Sequence, residues 1–142
     1  MEAAKFYTSI FPDSKVHGVH HAKADTPGNK EGDPLMIGFM IAGQNYMILN
    51  GPPHDKFNDA ISLSVTCEDQ AEVDRYWNAL TADGGRPVQC GWLKDKYGLS
   101  WQIVPRILPE LLSHPTKGKQ VMLAMMQMIK MDIAGLQRAF DQ

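Results

Sequence analysis

The chain has 142 residues, the size of one compact domain, and its 44% hydrophobic and 21% charged content excludes a disordered or fibrous protein. Fourteen Lys plus Arg against sixteen Asp plus Glu leave a net charge of −2, so no general field draws in a polyanion and no nucleic-acid partner is expected. The two cysteines, Cys67 and Cys90, form neither a disulfide framework nor a CxxC zinc pattern, and no apolar run approaches the ~20 residues of a membrane span, so a cytoplasmic protein with no membrane partner is expected.

From Glu2 the apolar residues fall at Ala3, Phe6, Tyr7, Ile10 and Phe11, the spacing of one helix face, and Pro12 with Asp13 stops it. Residues 14–23 predict a strand and the turn-rich stretch 25–34 a long hairpin loop. Residues 35–42 and 46–49 are two apolar runs separated by Gly43-Gln44-Asn45, which predicts a second hairpin. The stretch NGPPHDKFN (50–58), with two adjacent prolines, reads as a linker. Over 60–67 the chain alternates: Ile61, Leu63, Val65 and Cys67 point one way, Ala60, Ser62, Ser64 and Thr66 the other. Asp69 with Glu72 is a capping pair for a helix whose apolar face is Val73, Tyr76, Trp77 and Leu80, ended by Gly84-Gly85. A strand over 86–89 follows, then a hairpin of 92–95 and 99–104 turning at Tyr97-Gly98 and closed by Pro105. From Leu108 the tail predicts helices interrupted at Pro115, with a Met-rich segment over 121–131 and Asp132 as a cap before Ile133, Leu136 and Phe140. Its apolar face is too broad to be left in water, which predicts core packing or a dimer contact.

The two halves overlay: Gly43 on Gly98, Tyr46 on Trp101, Met47 on Gln102, Ile48 on Ile103 and Leu49 on Val104, with Phe6-Tyr7 on Tyr76-Trp77. The second half opens on a strand before its helix, whereas the first opens directly on the helix, so one strand of the repeat is expected to be missing.

Two βαβββ units in tandem are the plan of the vicinal oxygen chelate (glyoxalase/bleomycin-resistance) superfamily, and within it the chain closely resembles the PhnB-like family, described as a 3-demethylubiquinone 3-methyltransferase domain. The stretches carrying the resemblance are EAAKFYTSIFPDSKV (2–16), KFNDAISLSVTCEDQAEVDRYWNAL (56–80), CGWLKDKYGLSWQIVP (90–105) and MLAMMQMIKMDIAGLQRAF (122–140). The resemblance implies an α+β domain spanning 1–142: a first module over 1–50 lacking its first strand, a linker over 51–59, a second module over 60–105 and C-terminal helices over 106–142. It also implies a homodimer with a cup-shaped cavity for a small molecule, and it names no reaction, because the superfamily spans isomerases, dioxygenases, drug-modifying enzymes and drug-sequestering proteins.

Metal-using members of that superfamily place His and Glu ligands on cavity-facing strands. The corresponding positions here are Met47, a position near Ala60, and Gln102, a fourth lying on the missing strand. A thioether, a methyl and an amide suit a hard or borderline divalent ion poorly, so no metal and no cofactor are expected. His17 and His21 are expected to share a strand face about 13 Å apart at ~3.3 Å per residue, too far for one ion, with His20 facing the other way. If Ala60 faces the cavity, alternation sends Ser62 and Ser64 there, and likewise Ser100 beside Gln102. Trp92 and Lys94 add an aromatic surface and a charge, Met47 is the first-half counterpart of Gln102, and His54 on the linker can bend toward the cavity mouth. These eight side chains are the expected ligand-binding set; Trp101 and Cys67 are expected in the core, and Cys90 as a buried structural thiol.

The expected function is therefore metal-free binding of a small organic metabolite by a homodimer. A methyltransferase of quinone biosynthesis is an alternative, against which the sequence offers no glycine-rich strand-to-helix turn followed by an acidic residue for S-adenosylmethionine. A metal-dependent glyoxalase or dioxygenase is another, and it would need ligands from elsewhere in place of Met47, Ala60 and Gln102.

Overall fold

The computed structural model describes residues 1–52 and 54–142; Pro53 of the expected linker lies outside the described residues. The chain divides into two compact units, Met1–Lys56 and Phe57–Gln142, with the boundary inside the stretch read as a linker.

In the first unit, helix α1 (Glu2–Ile10) precedes an antiparallel sheet of β1 (Lys15–His21), β2 (Pro34–Ile41) and β3 (Gln44–Leu49), in the order β1-β2-β3. The helix buries Ala4 and Tyr7, with Phe11 just beyond its end, so its inner stripe lies one residue along from the expected Ala3. This stripe packs on β2, whose Ile37, Phe39 and Ile41 are all buried, and the Tyr7 and Phe39 rings stack 6.4 Å apart. The β2–β3 turn falls at Ala42-Gly43, one residue before the expected one: Ile41 pairs with Gln44, and the two turn residues take φ of +47° and +79°. Two left-handed residues match the twist of the flanking strands, which is why a two-residue loop suffices.

β1 departs from regular alternation. The register slips between Val16 and Gly18, leaving His17 as the extra residue of a bulge, and slips again between His20 and His21. The expected sharing of a face by His17 and His21 is thereby overturned: His17 and His20 line one hollow, while His21 Nδ1 lies 2.8 Å from the Gly32 carbonyl oxygen.

The second unit carries β4 (Ser62–Cys67), α2 (Gln70–Thr81), β5 (Arg86–Pro87), β6 (Trp92–Lys94) and β7 (Ser100–Pro105), then helices α3 (Leu108–Ser113), α4 (Gly118–Met126) and α5 (Ile133–Asp141). Its sheet runs β4-β7-β6-β5, with β4 parallel to β7 and the other pairs antiparallel, which is one complete βαβββ module. β4 begins at Ser62 and not at Ala60, because 58–60 form a turn closed by Asn58 Oδ1 accepting from the Ala60 N–H at 2.9 Å. β5 is only two residues long; the Val88 N–H still donates to the facing Trp92 carbonyl, but the Trp92 N–H then donates to the Gln89 carbonyl, closing a tight turn that ends the strand.

α2 forms as its capping pair predicts: Asp69 Oδ1 accepts from the Glu72 N–H, and Glu72 Oε2 accepts from the Glu68 N–H. Its Val73, Tyr76, Trp77 and Leu80 are all buried, against a sheet face built from Leu93, Trp101, Ile103 and Cys67. Burial pushes the Cys67 thiol up to about 12. The tail makes its own small core of Leu108, Leu111, Val121, Met131 and Leu136, with Cys90 partly covered against it and so not fully buried as expected. Met122, Leu123 and Met126 of α4 remain exposed, so the apolar breadth read in the sequence is only partly covered within the chain.

β1-β2-β3 repeat the arrangement of β5-β6-β7, and β4 lies along the outer edge of β7. Among the described residues β3 has no such neighbour. The architecture is α+β, with the glyoxalase-like βαβββ plan complete in the second unit and its αβββ portion in the first.

Candidate functional site

Strand pairing sorts the side chains of the second sheet onto two faces. Leu63, Trp101 and Leu93 lie in one cross-strand row on the core face, and the rows on either side of it point the opposite way. One of these runs Ser62, Ser100, Lys94 and Arg86; the next runs Ser64, Gln102 and Trp92. The structure thus brings six of the eight expected ligand-binding residues, Ser62, Ser64, Ser100, Gln102, Trp92 and Lys94, to a single sheet face.

Polar groups on that face engage one another. Gln102 Nε2 donates to Ser62 Oγ at 2.9 Å across the β4–β7 pair. Lys94 Nζ lies 2.6 Å from Asp59 Oδ1, and Ser100 Oγ donates to the same oxygen at 3.4 Å. The Lys94 ammonium holds the Asp59 carboxyl below the usual carboxylate range, chiefly through its hydrogen bond. Asp59 is a site residue that sequence reading missed; it sits where β4 was expected to open, and only the turn at 58–60 turns it toward Lys94. Trp92, half-buried beside Gln102, supplies a flat apolar surface next to the amide. Such a face can hydrogen-bond neutral oxygen and nitrogen atoms and stack a ring.

The core expectations hold on the other face. Trp101 is 2% exposed, and its indole N–H donates to Asp95 Oδ2 at 2.9 Å.

Met47 and His54 belong to the first unit. Met47 is exposed and helps line a hollow of about 410 Å³ together with His17, His20, Met36, Gly38 and Asn45. The His17 ring lies over Gly38, where a Cβ would come within 2.9 Å of it, so a side chain at Gly38 would push the ring aside. The sequence signal for this hollow is Gly18 inside the strand, the mark of a bulge that breaks the regular alternation expected for His17 and His21. His54 is exposed in the 51–56 stretch, its N–H donating to the Pro52 carbonyl at 3.0 Å.

The residues at the superfamily's ligand positions do not fit a divalent metal. Gln102 offers only a neutral amide oxygen, its nitrogen donating to Ser62, and Ala60 lies in a turn with only a methyl to offer. Met47 presents a thioether, and thioethers favour soft ions. Among the described residues no group of three or more His, Cys, Asp or Glu could hold a metal ion. Among the described residues no helix is long and apolar enough to cross a membrane.

Comparison with known proteins joins the fold to a family. No curated protein matches the sequence. A Bacillus cereus PhnB protein, provisionally assigned as a 3-demethylubiquinone-9 3-methyltransferase, is 34% identical with a TM-score of 0.65, the match covering 73% of this chain and 88% of that one. A Pseudomonas aeruginosa protein shares the fold at 17% identity, with a TM-score of 0.53 and coverage of 73% and 86%. The family model described as 3-demethylubiquinone-9 3-methyltransferase matches residues 1–104, which take in α1 and both sheets up to the penultimate residue of β7. With that match over most of its length, the chain belongs to the PhnB-like 3-demethylubiquinone-9 3-methyltransferase family.

Proposed function

We propose that this protein binds a small organic molecule on the polar face of the second unit's sheet, as a cytoplasmic homodimer and without a metal ion at that face. The observation that carries the reading is the convergence of Ser62, Ser64, Gln102 and Trp92 on two adjacent cross-strand rows, an amide and hydroxyls beside one aromatic surface. A binding site of this kind fixes orientation with a few polar groups and supplies most of its contact through a flat apolar one. The membrane, nucleic acid and metal cofactors have no part in this reading, and whether turnover follows binding depends on the ligand.

A thermal-shift screen of the full chain against metabolites and aromatic antibiotics tests it, run in parallel on Gln102→Leu and Ser62→Val. Compounds that raise the melting temperature of the wild type are expected to lose most of that shift in both variants. A compound that stabilises all three proteins equally binds elsewhere and contradicts the placement. Calorimetry with S-adenosylmethionine separates binding from methyl transfer: no heat is expected.

A further inference from the structure

Two donors on the polar face point at a partner that the sheet itself does not supply. The Lys94 side chain is 18% exposed and Ser100 is 1% exposed, yet both reach the same atom, Asp59 Oδ1, at 2.6 and 3.4 Å. Asp59 is 72% exposed and belongs to the turn before β4. Arg86, next to Lys94 in the row, adds a second positive charge that also bears on Asp59.

This asymmetry has a physical meaning. A mostly covered ammonium needs an anionic partner, because its own hydration has been largely removed. A mostly solvated carboxylate needs none: water serves it as well, and such half-exposed pairs are held weakly. The site therefore requires a carboxylate oxygen between Lys94 and Ser100 but does not require that Asp59 provide it.

We propose that Asp59 is a built-in stand-in for the ligand's own carboxylate. The ligand is then a small planar monocarboxylate. Its carboxylate displaces Asp59 from Lys94 and Ser100, and its body lies across Gln102 and Ser62 toward Trp92. The row geometry supports the match, since Lys94 and Ser100 are cross-strand partners and Gln102 with Trp92 form the adjacent row. This inference rests on the binding reading above and adds the charge of the ligand to it.

Calorimetry of the full chain with benzoate and its neutral isostere benzamide tests it on wild type, Asp59→Asn, Lys94→Gln and Gln102→Leu. Asp59→Asn removes the competing charge and keeps the shape of an exposed side chain, so it is expected to bind benzoate roughly tenfold more tightly and to widen the preference for benzoate over benzamide. Lys94→Gln is expected to erase the preference for benzoate over benzamide; should it fail to fold, Lys94→Arg is expected to retain that preference. Benzoate binding to Asp59→Asn that is absent, or no tighter than to wild type, overturns the proposal. Equal binding of benzoate and benzamide that is lost in Gln102→Leu would also overturn it while leaving the binding face in place. Benzoate binding that tightens in Asp59→Asn but ignores Gln102→Leu would uphold the stand-in and sink the wider face.

Discussion

Asp95 is 2% exposed, and among its donors are the Tyr97 and Leu99 backbone N–H groups at 2.9 and 3.1 Å and the Trp101 indole at 2.9 Å. With the Gly98 N–H donating to its carbonyl, and Gly98 at a φ of +87°, it closes the turn that returns the chain from β6 to β7. Asp95→Asn keeps an acceptor for the two backbone groups but sets a donor against the indole N–H, and is expected to cost about 1–3 kcal/mol. Asp95→Ala leaves these donors without it and is expected to cost about 3–5 kcal/mol; urea unfolding measures both. A loss below about 0.5 kcal/mol for Asp95→Ala would mean water replaces the carboxylate. In the sequence the turn at Tyr97-Gly98 is legible, whereas the bond from Asp95 to an indole six residues on depends on the pairing that turns Trp101 inward. Cys67 is equally local: fully buried, with its thiol pushed up to about 12, it is expected to resist iodoacetamide at pH 8 while the partly exposed Cys90 labels. Labelling of Cys67 in the native protein would contradict this.

At the scale of elements, the regular pieces were the readable ones. The 3.6-residue period of α2 follows from a short stretch of chain and holds with all four expected residues buried, whereas the alternation of β4 holds from Ser62 with Cys67 buried and Leu63 and Val65 half-covered, Ile61 lying exposed before the strand. Irregular pieces were harder. The bulge in β1, the left-handed Ala42-Gly43 turn and the truncation of β5 at Pro87 are set by the strand alongside, which local spacing does not report. The tail shows the same limit: its helices were legible, but their attachment was not. Gln70 at the start of α2 donates to the Met131 carbonyl and accepts from the Ile133 N–H, at 3.0 and 2.9 Å, so it caps α5 from outside that helix. Lys130 pairs with Asp74 beside it at 2.6 Å, and the Cys90 and Gly91 N–H groups donate to Met128 and Ile129 carbonyls. Gln70→Ala is expected to cost about 1–3 kcal/mol and to speed backbone hydrogen exchange in α5 before it does so in α2. Uniform acceleration across both helices would show that the tail and the sheet open as one.

Across the whole chain, exposed acidic groups set the response to acid. Lys30 beside Asp25, Lys94 beside Asp59 and Lys130 beside Asp74 each hold a carboxyl below its ordinary value of 3.8. Because the folded form binds the proton less readily than the unfolded one, their contribution is complete above that value and disappears as pH falls through the lowered values. The melting temperature is therefore expected to be nearly level from pH 7 to about 5 and to fall below about 4, less steeply at high salt, since these pairs are exposed. A melting temperature that rose on acidification would contradict the assignment. The candidate site was half legible at this scale: alternation placed Ser62, Ser64, Ser100, Gln102, Trp92 and Lys94 on one face, and the pairing of β4 with β7 and β6 brings them together. Asp59 escaped because a turn residue carries no period, and the hollow of His17 and His20 escaped because a bulge breaks one.

The claim on which the account turns is that Gln102 and its neighbours hold an organic molecule with no cation between them. Calorimetry of the strongest compound from the thermal-shift screen, on wild type and Gln102→Leu after exhaustive EDTA treatment, measures this most directly. Undiminished binding by the chelated wild type and its loss in Gln102→Leu is the predicted result; binding that vanishes on chelation and returns with added zinc, nickel or iron would contradict it.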